Sequence, residues 1–211
     1  EGLDKHDRSG VYMITIKVEG LEALTKKLNL TAKELTKIIR NTVDTTATAV
    51  KVLALNEAEK HYNIPKTRLQ RTSRGKETIY TQRSTQTNLT AMVTFKGGTG
   101  TKAGDRPGLH HYAYKASLKR GKGIYPKYRI KRDSGIETVK GGFYQTMPNG
   151  GVGIFEQVPG SKGKKIVRRT GPGIKQIVEN REMSAIIRDK SREILQGKMR
   201  QAVAKVIAKR V

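Results

Sequence analysis

Alternating apolar and polar residues begin the readable part of the chain, in MITIKVEG at residues 13–20. The apolar residues Ile14, Ile16 and Val18 share one side of this stretch, which predicts a short β-strand with one buried face. Two later stretches, TIYTQRST and LTAMVTFKG, are rich in Thr, Val and aromatic residues, so they predict two further strands.

A long helical arm is predicted over about residues 21–62, where apolar residues recur at helical spacing. Thr31 and Glu34 have the spacing of a capping box, so the second helix of this arm should begin at Thr31 and run to about His61. Pro65 excludes regular helix beyond that point. Residues 67–77 are basic and polar, and we expect a loop there.

The clearest local signal lies in GGFYQTMPNGGVGIFEQVPG, residues 141–160. Two aromatic strands flank PNGG, in which Asn149 and Gly150 can supply the positive φ of a hairpin turn. Phe143 and Phe155 should lie in or near the core. The following stretch, KKIVRR, predicts a third strand at the edge of the sheet, where its charge discourages further strand pairing.

A second long helix is predicted over about residues 174–209 from its apolar spacing. The stretch TGPGI marks its start: Gly171 precedes Pro172, and Pro172 suits the first helical turn. We expect a break near Asn180 and a weak point at Gly197.

These elements predict an α+β fold, with a small, mostly antiparallel sheet flanked by a long N-terminal helix and a long C-terminal helix. A strand near Tyr128–Lys131 is expected within an otherwise irregular middle region. We expect a single domain over residues 13–211. Residues 1–12 form a polar N-terminal extension whose place in the native product the sequence leaves open.

Charge adds a functional constraint, because 43 Lys and Arg residues against 18 acidic ones give a net charge of +25. Such a field attracts polyanions, chiefly nucleic acid, and it exceeds what solubility requires. A merely solvated surface is the alternative. The chain has no Cys, which excludes disulfides and thiol chemistry. We find no membrane-spanning run and no secretory signal.

Basic residues concentrate in three runs that are candidates for contact with DNA or a partner protein. Tyr residues are interleaved with the first two runs, and their rings can stack on bases or pack against protein. A charged sheet edge explains the third run equally well. The candidate residues are Lys119, Arg120, Lys122, Lys127, Arg129, Lys131, Arg132, Lys162, Lys164, Lys165, Arg168 and Arg169.

Signals for catalysis and cofactor binding are weak. His110 and His111 would point to opposite faces of a strand, so we expect a polar loop there and no metal site. The acidic residues are few and scattered, unlike the carboxylate cluster of a metal-dependent nuclease. The stretch GGTGTKAG lacks the Gly-Lys-Ser/Thr of a phosphate-binding loop. We therefore expect no enzymatic activity, no metal and no cofactor.

Three of these features together resemble the minor tail protein Z, or tail-completion (neck), family of long-tailed phages. They are GLEAL at residues 20–24 before a long Ala/Thr/Val-rich helix, the hairpin at 141–160, and a basic strand that leads into TGPGIKQIV and a helix rich in Arg and Lys. The likeness in layout covers about residues 14–209. It is specific over about 141–178, and residues 80–135 do not match.

The resemblance implies a structural virion protein that completes the head-proximal end of a phage tail and helps join tail to head around the DNA channel. It implies a homo-oligomeric sixfold ring, with tail-tube or tail-terminator proteins and head–tail connector proteins as neighbours. Non-specific contact with packaged DNA is expected, and contact with a membrane is not. The resemblance also implies that the protein is located in the virion tail or neck and is assembled in the bacterial host cytoplasm. The resemblance also implies that Ile174 is an apolar contact position at the helix start. The alternative is a basic nucleic-acid-binding protein that acts outside a virion.

Overall fold

A computed structural model describes residues 11–18, 31–72, 75–97, 106–113, 125–148, 150–160 and 165–208. The helices are α1 (Ala32–His61), α2 (Lys66–Leu69), α3 (Ile174–Glu179) and α4 (Arg181–Ala208). The strands are β1 (Val11–Ile16), β2 (Ile79–Gln82), β3 (Ala91–Lys96), β4 (Lys127–Tyr128), β5 (Glu137–Thr138), β6 (Gly142–Thr146), β7 (Val152–Gln157) and β8 (Ile166–Arg168).

The predicted α+β class is confirmed, with long helices α1 and α4 and antiparallel sheets. The strands form three small sheets, however, where we predicted one. Their strand orders are β1-β3-β2, β4-β5 and β6-β7-β8. The described residues also divide into two compact units. The single domain predicted over residues 13–211 stays a prediction.

The first unit contains residues 11–54, 79–96 and 178–208 of the described chain. Its sheet pairs Tyr12 with Phe95 and buries both side chains. The apolar stripe of α1 is also buried, from Ile39 to Ala54. The Tyr12 hydroxyl lies 2.9 Å from the Ser184 hydroxyl, which joins β1 to α4. β1 begins two residues earlier than we predicted, so Val11 and buried Tyr12 belong to the sheet and not to the extension.

The second unit contains residues 55–78 and 97–177 as far as they are described. It holds the end of α1, α2, the sheets β4-β5 and β6-β7-β8, and a turn of 3-10 helix at Leu109–Tyr112. Tyr112 is its largest fully buried side chain. The Tyr112 hydroxyl donates a 2.5 Å hydrogen bond to the Pro172 carbonyl oxygen. This bond ties the 3-10 turn to the segment before α3.

Helix ends follow the predicted capping chemistry. The Thr31 backbone N–H donates to the Glu34 carboxylate at 2.9 Å, and the Glu34 N–H donates to the Thr31 hydroxyl at 3.3 Å, which completes the capping box. The predicted break near Asn180 is confirmed, because its side-chain oxygen accepts a 3.2 Å bond from the Glu182 N–H and caps α4. The helix continues unbroken through Gly197.

The predicted hairpin is confirmed as β6 and β7, with Gly150 at φ +77° in the turn. Phe155 is buried, and its ring centroid lies 6.2 Å from that of half-buried Phe143. The predicted basic strand is β8, at the edge of the three-stranded sheet. Asn149 of the predicted turn lies outside the described residues. Residues 21–30, the first part of the predicted N-terminal helical arm, also lie outside them.

Three local predictions were wrong in detail. The helix α3 begins at Ile174, so Pro172 precedes the first turn; the Gly173 N–H is capped by the Gln176 side chain at 3.0 Å. Residues 67–77 include the end of α2, which buries Leu69, where we predicted only a loop. The strand predicted near 128–131 stops at Tyr128.

Candidate functional site

Several predicted contact residues lie outside the described part of the chain. These are Lys119, Arg120, Lys122, Lys162 and Lys164. The described candidates fall into different environments. Lys127 is exposed in β4 and Lys165 is exposed just before β8, whereas Lys131 is half-buried. The guanidinium groups are more informative, because the structure gives each of them a distinct set of neighbours.

Two candidate arginines serve the fold at the end of α1. The Arg132 side chain donates a 3.0 Å hydrogen bond to the Glu59 carbonyl oxygen, and its backbone N–H donates to the His61 carbonyl oxygen at 2.9 Å. Arg129 donates in turn to the Arg132 carbonyl oxygen at 3.2 Å. Positive charge stabilises a helix C-terminus, whose last carbonyl groups lack partners within the helix. These bonds hold residues 129–132 against α1 and explain why β4 ends at Tyr128.

Arg169 lines a cleft of about 600 Å³ together with Glu137 and Glu156. The sequence did not predict that these two carboxylates lie in one cleft. Arg169 forms an ion pair with Glu156. On another wall, the Tyr128 hydroxyl donates to Glu137 at 2.6 Å. Partial burial and this hydrogen bond raise the pKa of Tyr128 to about 12. Each carboxylate is therefore held by a partner side chain, and the cleft is a polar site without an unpaired acid or base among these groups.

Arg168 lies between two glycines. A Cβ atom added at Gly108 would lie 2.6 Å from Arg168 Nη2, and one added at Gly153 would lie 3.2 Å from its Nε. The Nη2 atom donates to the Val152 carbonyl oxygen at 3.3 Å, and the buried Nε has no hydrogen-bond partner among the described residues. The absence of side chains at these glycines leaves the space that the guanidinium occupies.

His110 and His111 lie beside this guanidinium, in the 3-10 turn and not in the loop we predicted. Their ring centroids are 3.9 Å apart, so the two imidazoles do not point to opposite sides. A Cβ atom added at Gly108 would also lie 2.6 Å from the His110 ring. The Arg168 guanidinium and the His110 ring are therefore both close to Gly108, on the side where a side chain would be. His110 Nδ1 is buried without a hydrogen-bond partner in the described structure.

The electrostatics of the two imidazoles reflect burial among positive charges. Burial lowers the pKa of His110 to about 4, with further lowering from Arg168 and Arg68. Burial also lowers the pKa of His111 to about 4, and His110 and the same two arginines add to the effect. Both rings are therefore neutral at pH 7, and each carries one N–H donor. Sequence reasoning missed this grouping of Arg68, His110, His111 and Arg168, because no spacing in the chain signals it.

Acidification is expected to destabilise the second unit through these two histidines. Their pKa of about 4 in the folded state is below the usual 6.5, so the unfolded chain binds more protons between these values. Stability is therefore full above about pH 6.5 and falls as the pH decreases towards 4. We expect His110→Gln/His111→Gln to flatten this loss in urea unfolding measured at several pH values. An unchanged pH slope in the double variant would contradict the assignment.

A different kind of surface occurs on α4. Leu195, Met199, Val203 and Ile207 recur every four residues, which places them along one face of the helix. The first three are only half-buried, and Ile207 is 48% exposed. The buried residues of α4 are Met183, Ile187 and Ser191, so its described residues after Ser191 include no fully buried side chain. We call these four residues the α4 apolar row.

Comparisons with known proteins add no relative: no family model, no curated protein and no solved structure matches the chain. Within the described residues, no three His, Asp or Glu side chains are grouped closely enough to hold a metal ion. None of the described helices is long and apolar enough to cross a bilayer.

Proposed function

We propose that the chain is a structural virion protein that completes the head-proximal end of a phage tail and helps join it to the head around the DNA channel. One observation carries this proposal. The resemblance to the tail-completion family is specific over residues 141–178, and the described residues of this segment form the predicted order of hairpin, basic edge strand and helix start after Gly-Pro.

The α4 apolar row supports the oligomeric part of the proposal. A helical face with four large apolar residues gains stability when another surface covers it, because burial removes apolar area from water. In a homo-oligomeric ring, that surface would belong to an adjacent copy of the chain. Tail-tube or tail-terminator proteins and connector proteins would then contact the two ends of the ring.

The net charge of +25 supports a position next to DNA. Lys and Arg at a channel surface attract the phosphate backbone without reading its sequence. The same charge favours the second candidate, a nucleic-acid-binding protein that acts outside a virion. The two functions differ in their assembly, because the binder needs no ring and the neck protein does.

Electron microscopy of the purified protein at about 0.5 M salt tests the proposal, since that salt screens bridging by stray polyanions. The expected images are closed rings of one symmetry, with a central opening wide enough for duplex DNA. Single small particles that gain order only on DNA would favour the nucleic-acid-binding alternative.

Neutralising the basic edge separates its two explanations. We expect duplex binding to weaken at least about tenfold at physiological salt when Gln replaces Lys162, Lys164, Lys165, Arg168 and Arg169. Each lost phosphate contact reduces the number of counterions that are released on binding, and this release drives the association. Binding is measured by fluorescence anisotropy over a salt series. If the variant binds duplex with the salt slope of the native chain, the basic residues serve only to block strand pairing at the sheet edge.

A further inference from the structure

We propose that a basic cleft on the N-terminal part of α1 binds the phosphodiester backbone of DNA. This site is a further part of the contact with DNA proposed above, and it rests on that part of the proposed function. Its cations lie outside the three basic runs that the sequence singled out. We call the site the α1 basic cleft, and the residues that line it are Ala32, Lys33, Thr36, Lys37, Arg40, Asn41 and Gln86.

The fold builds the α1 basic cleft from two elements of the first unit. Six of its lining residues lie within the first three turns of α1, and Gln86 lies in the connection between β2 and β3. The cleft has a volume of about 680 Å³. A cleft of this size suits a ligand larger than a single phosphate ion.

The charge that lines the cleft has one sign. Lys33, Lys37 and Arg40 contribute three cations, and the amides of Asn41 and Gln86 add N–H donors. The described residues around the cleft include no Asp or Glu, and none of the three cations forms an ion pair within the described chain. A concave surface lined by one sign of charge focuses the electrostatic field and concentrates anions.

The helix itself gains no stability from these cations. Lys33 and Lys37 are four residues apart, and Lys37 and Arg40 are three apart, so both pairs are neighbours on the helix surface and repel each other. Lys33 also lies in the first turn, where the positive end of the helix dipole disfavours a cation. A bound polyanion would offset this repulsion, so the arrangement indicates an anionic ligand.

A second cleft extends this basic surface to α4. It shares Lys37 with the α1 basic cleft, has a volume of about 690 Å³, and is also lined by Lys198 and Lys205. Glu34 lines it too, but its Oε2 atom already accepts hydrogen bonds from the backbone N–H and the hydroxyl of Thr31. Cations spread over two adjoining clefts favour an extended polyanion, such as one strand of the DNA backbone, over a single phosphate ion.

Duplex binding by charge variants tests the site. We expect Lys33→Gln/Lys37→Gln/Arg40→Gln to raise the dissociation constant for short duplex DNA at least about tenfold at physiological salt. The salt slope should fall by about one for each phosphate contact that is lost. Fluorescence anisotropy over a chloride series measures both quantities. The helix should still form, because Gln is close to Lys and Arg in helix propensity.

Two further variants keep this test decisive. Lys33→Gln/Lys37→Gln changes exposed residues alone, so it replaces the triple variant if the change at half-buried Arg40 prevents folding. The matched control removes three charges from exposed residues that line neither cleft, and it should keep the native salt slope. It is Lys60→Gln/Lys76→Gln/Arg181→Gln. Equal weakening by the control and the cleft variant would overturn the proposal, and so would native binding by the cleft variant.

Cross-linking locates the contact without changing a charge. The chain has no Cys, so Gln86→Cys provides a single thiol at the α1 basic cleft for a photoactivatable reagent. We expect this thiol to cross-link to duplex DNA. Val52→Cys, at a 52% exposed position of α1 outside both clefts, should not. Cross-linking to poly-glutamate but not to duplex DNA would assign the cleft to an acidic protein and overturn the proposal.

These readouts separate failure of the site from failure of the proposed function. A native chain that does not bind duplex DNA would overturn the DNA contact as a whole, including this site. A native chain that binds duplex DNA, with no dependence on the cleft residues, would overturn the site alone. None of the measurements requires a ring, so the ring test has its own outcome.

Discussion

Replacing Gly171 with Ala is expected to destabilise the second unit by about 3 kcal/mol, the upper range for inserting a methyl group into a packed core. The added Cβ would lie 2.2 Å and 2.6 Å from two ring carbons of Tyr112. Tyr112 cannot move away easily, because it is fully buried and its hydroxyl donates to the Pro172 carbonyl oxygen. Urea unfolding followed by circular dichroism measures the loss.

Gly197→Ala is the matched control for this prediction. A Cβ at Gly197 would meet open space, and the residue lies inside α4. The same substitution should therefore stabilise the protein by about 0.5 to 1 kcal/mol, because Ala favours a helix over Gly. If Gly171→Ala were as harmless as Gly197→Ala, the contact between Gly171 and Tyr112 would not be a packing constraint.

Placing Glu at both Val203 and Ile207 is expected to convert the proposed oligomer into monomers. Each carboxylate would lie in the proposed contact between the α4 apolar row and a neighbouring copy, and a buried charge without a partner opposes association. We expect the dissociation constant to rise at least about 100-fold. Analytical ultracentrifugation over a range of protein concentrations measures this change.

Ala204→Glu/Ala208→Glu is the control for this second prediction. It adds the same charge to the same helix, at exposed positions beside the row. The control should keep the native oligomer, and both double variants should keep the native helix content. Equal dissociation by the two double variants would mean that added charge, and not the apolar row, governs assembly.

Local signals in the sequence predicted most of the secondary structure correctly. The capping box at Thr31 and Glu34, the hairpin turn at Gly150 and the break at Asn180 each depend on neighbouring residues, and each is present. These features form because the chemistry that directs them lies within a few positions along the chain.

The failures arose where distant contacts override local preference. The strand predicted near residues 128–131 ends early because Arg132 bonds to the end of α1 instead of to another strand. His110 and His111 were predicted to lie in a polar loop, although a 3-10 turn places their rings together. The grouping with Arg68 and Arg168 depends on three elements that are far apart in the chain, so no spacing could predict it.

The function proposed here depends most directly on self-association. Light scattering on the purified chain at about 0.5 M salt, where charges are screened beyond a few ångströms, gives the mass of the particle without any partner. We expect one discrete multimer, with six copies as the value that the family resemblance implies. A monomer that stays a monomer over the whole concentration range, with and without short duplex DNA, would contradict it.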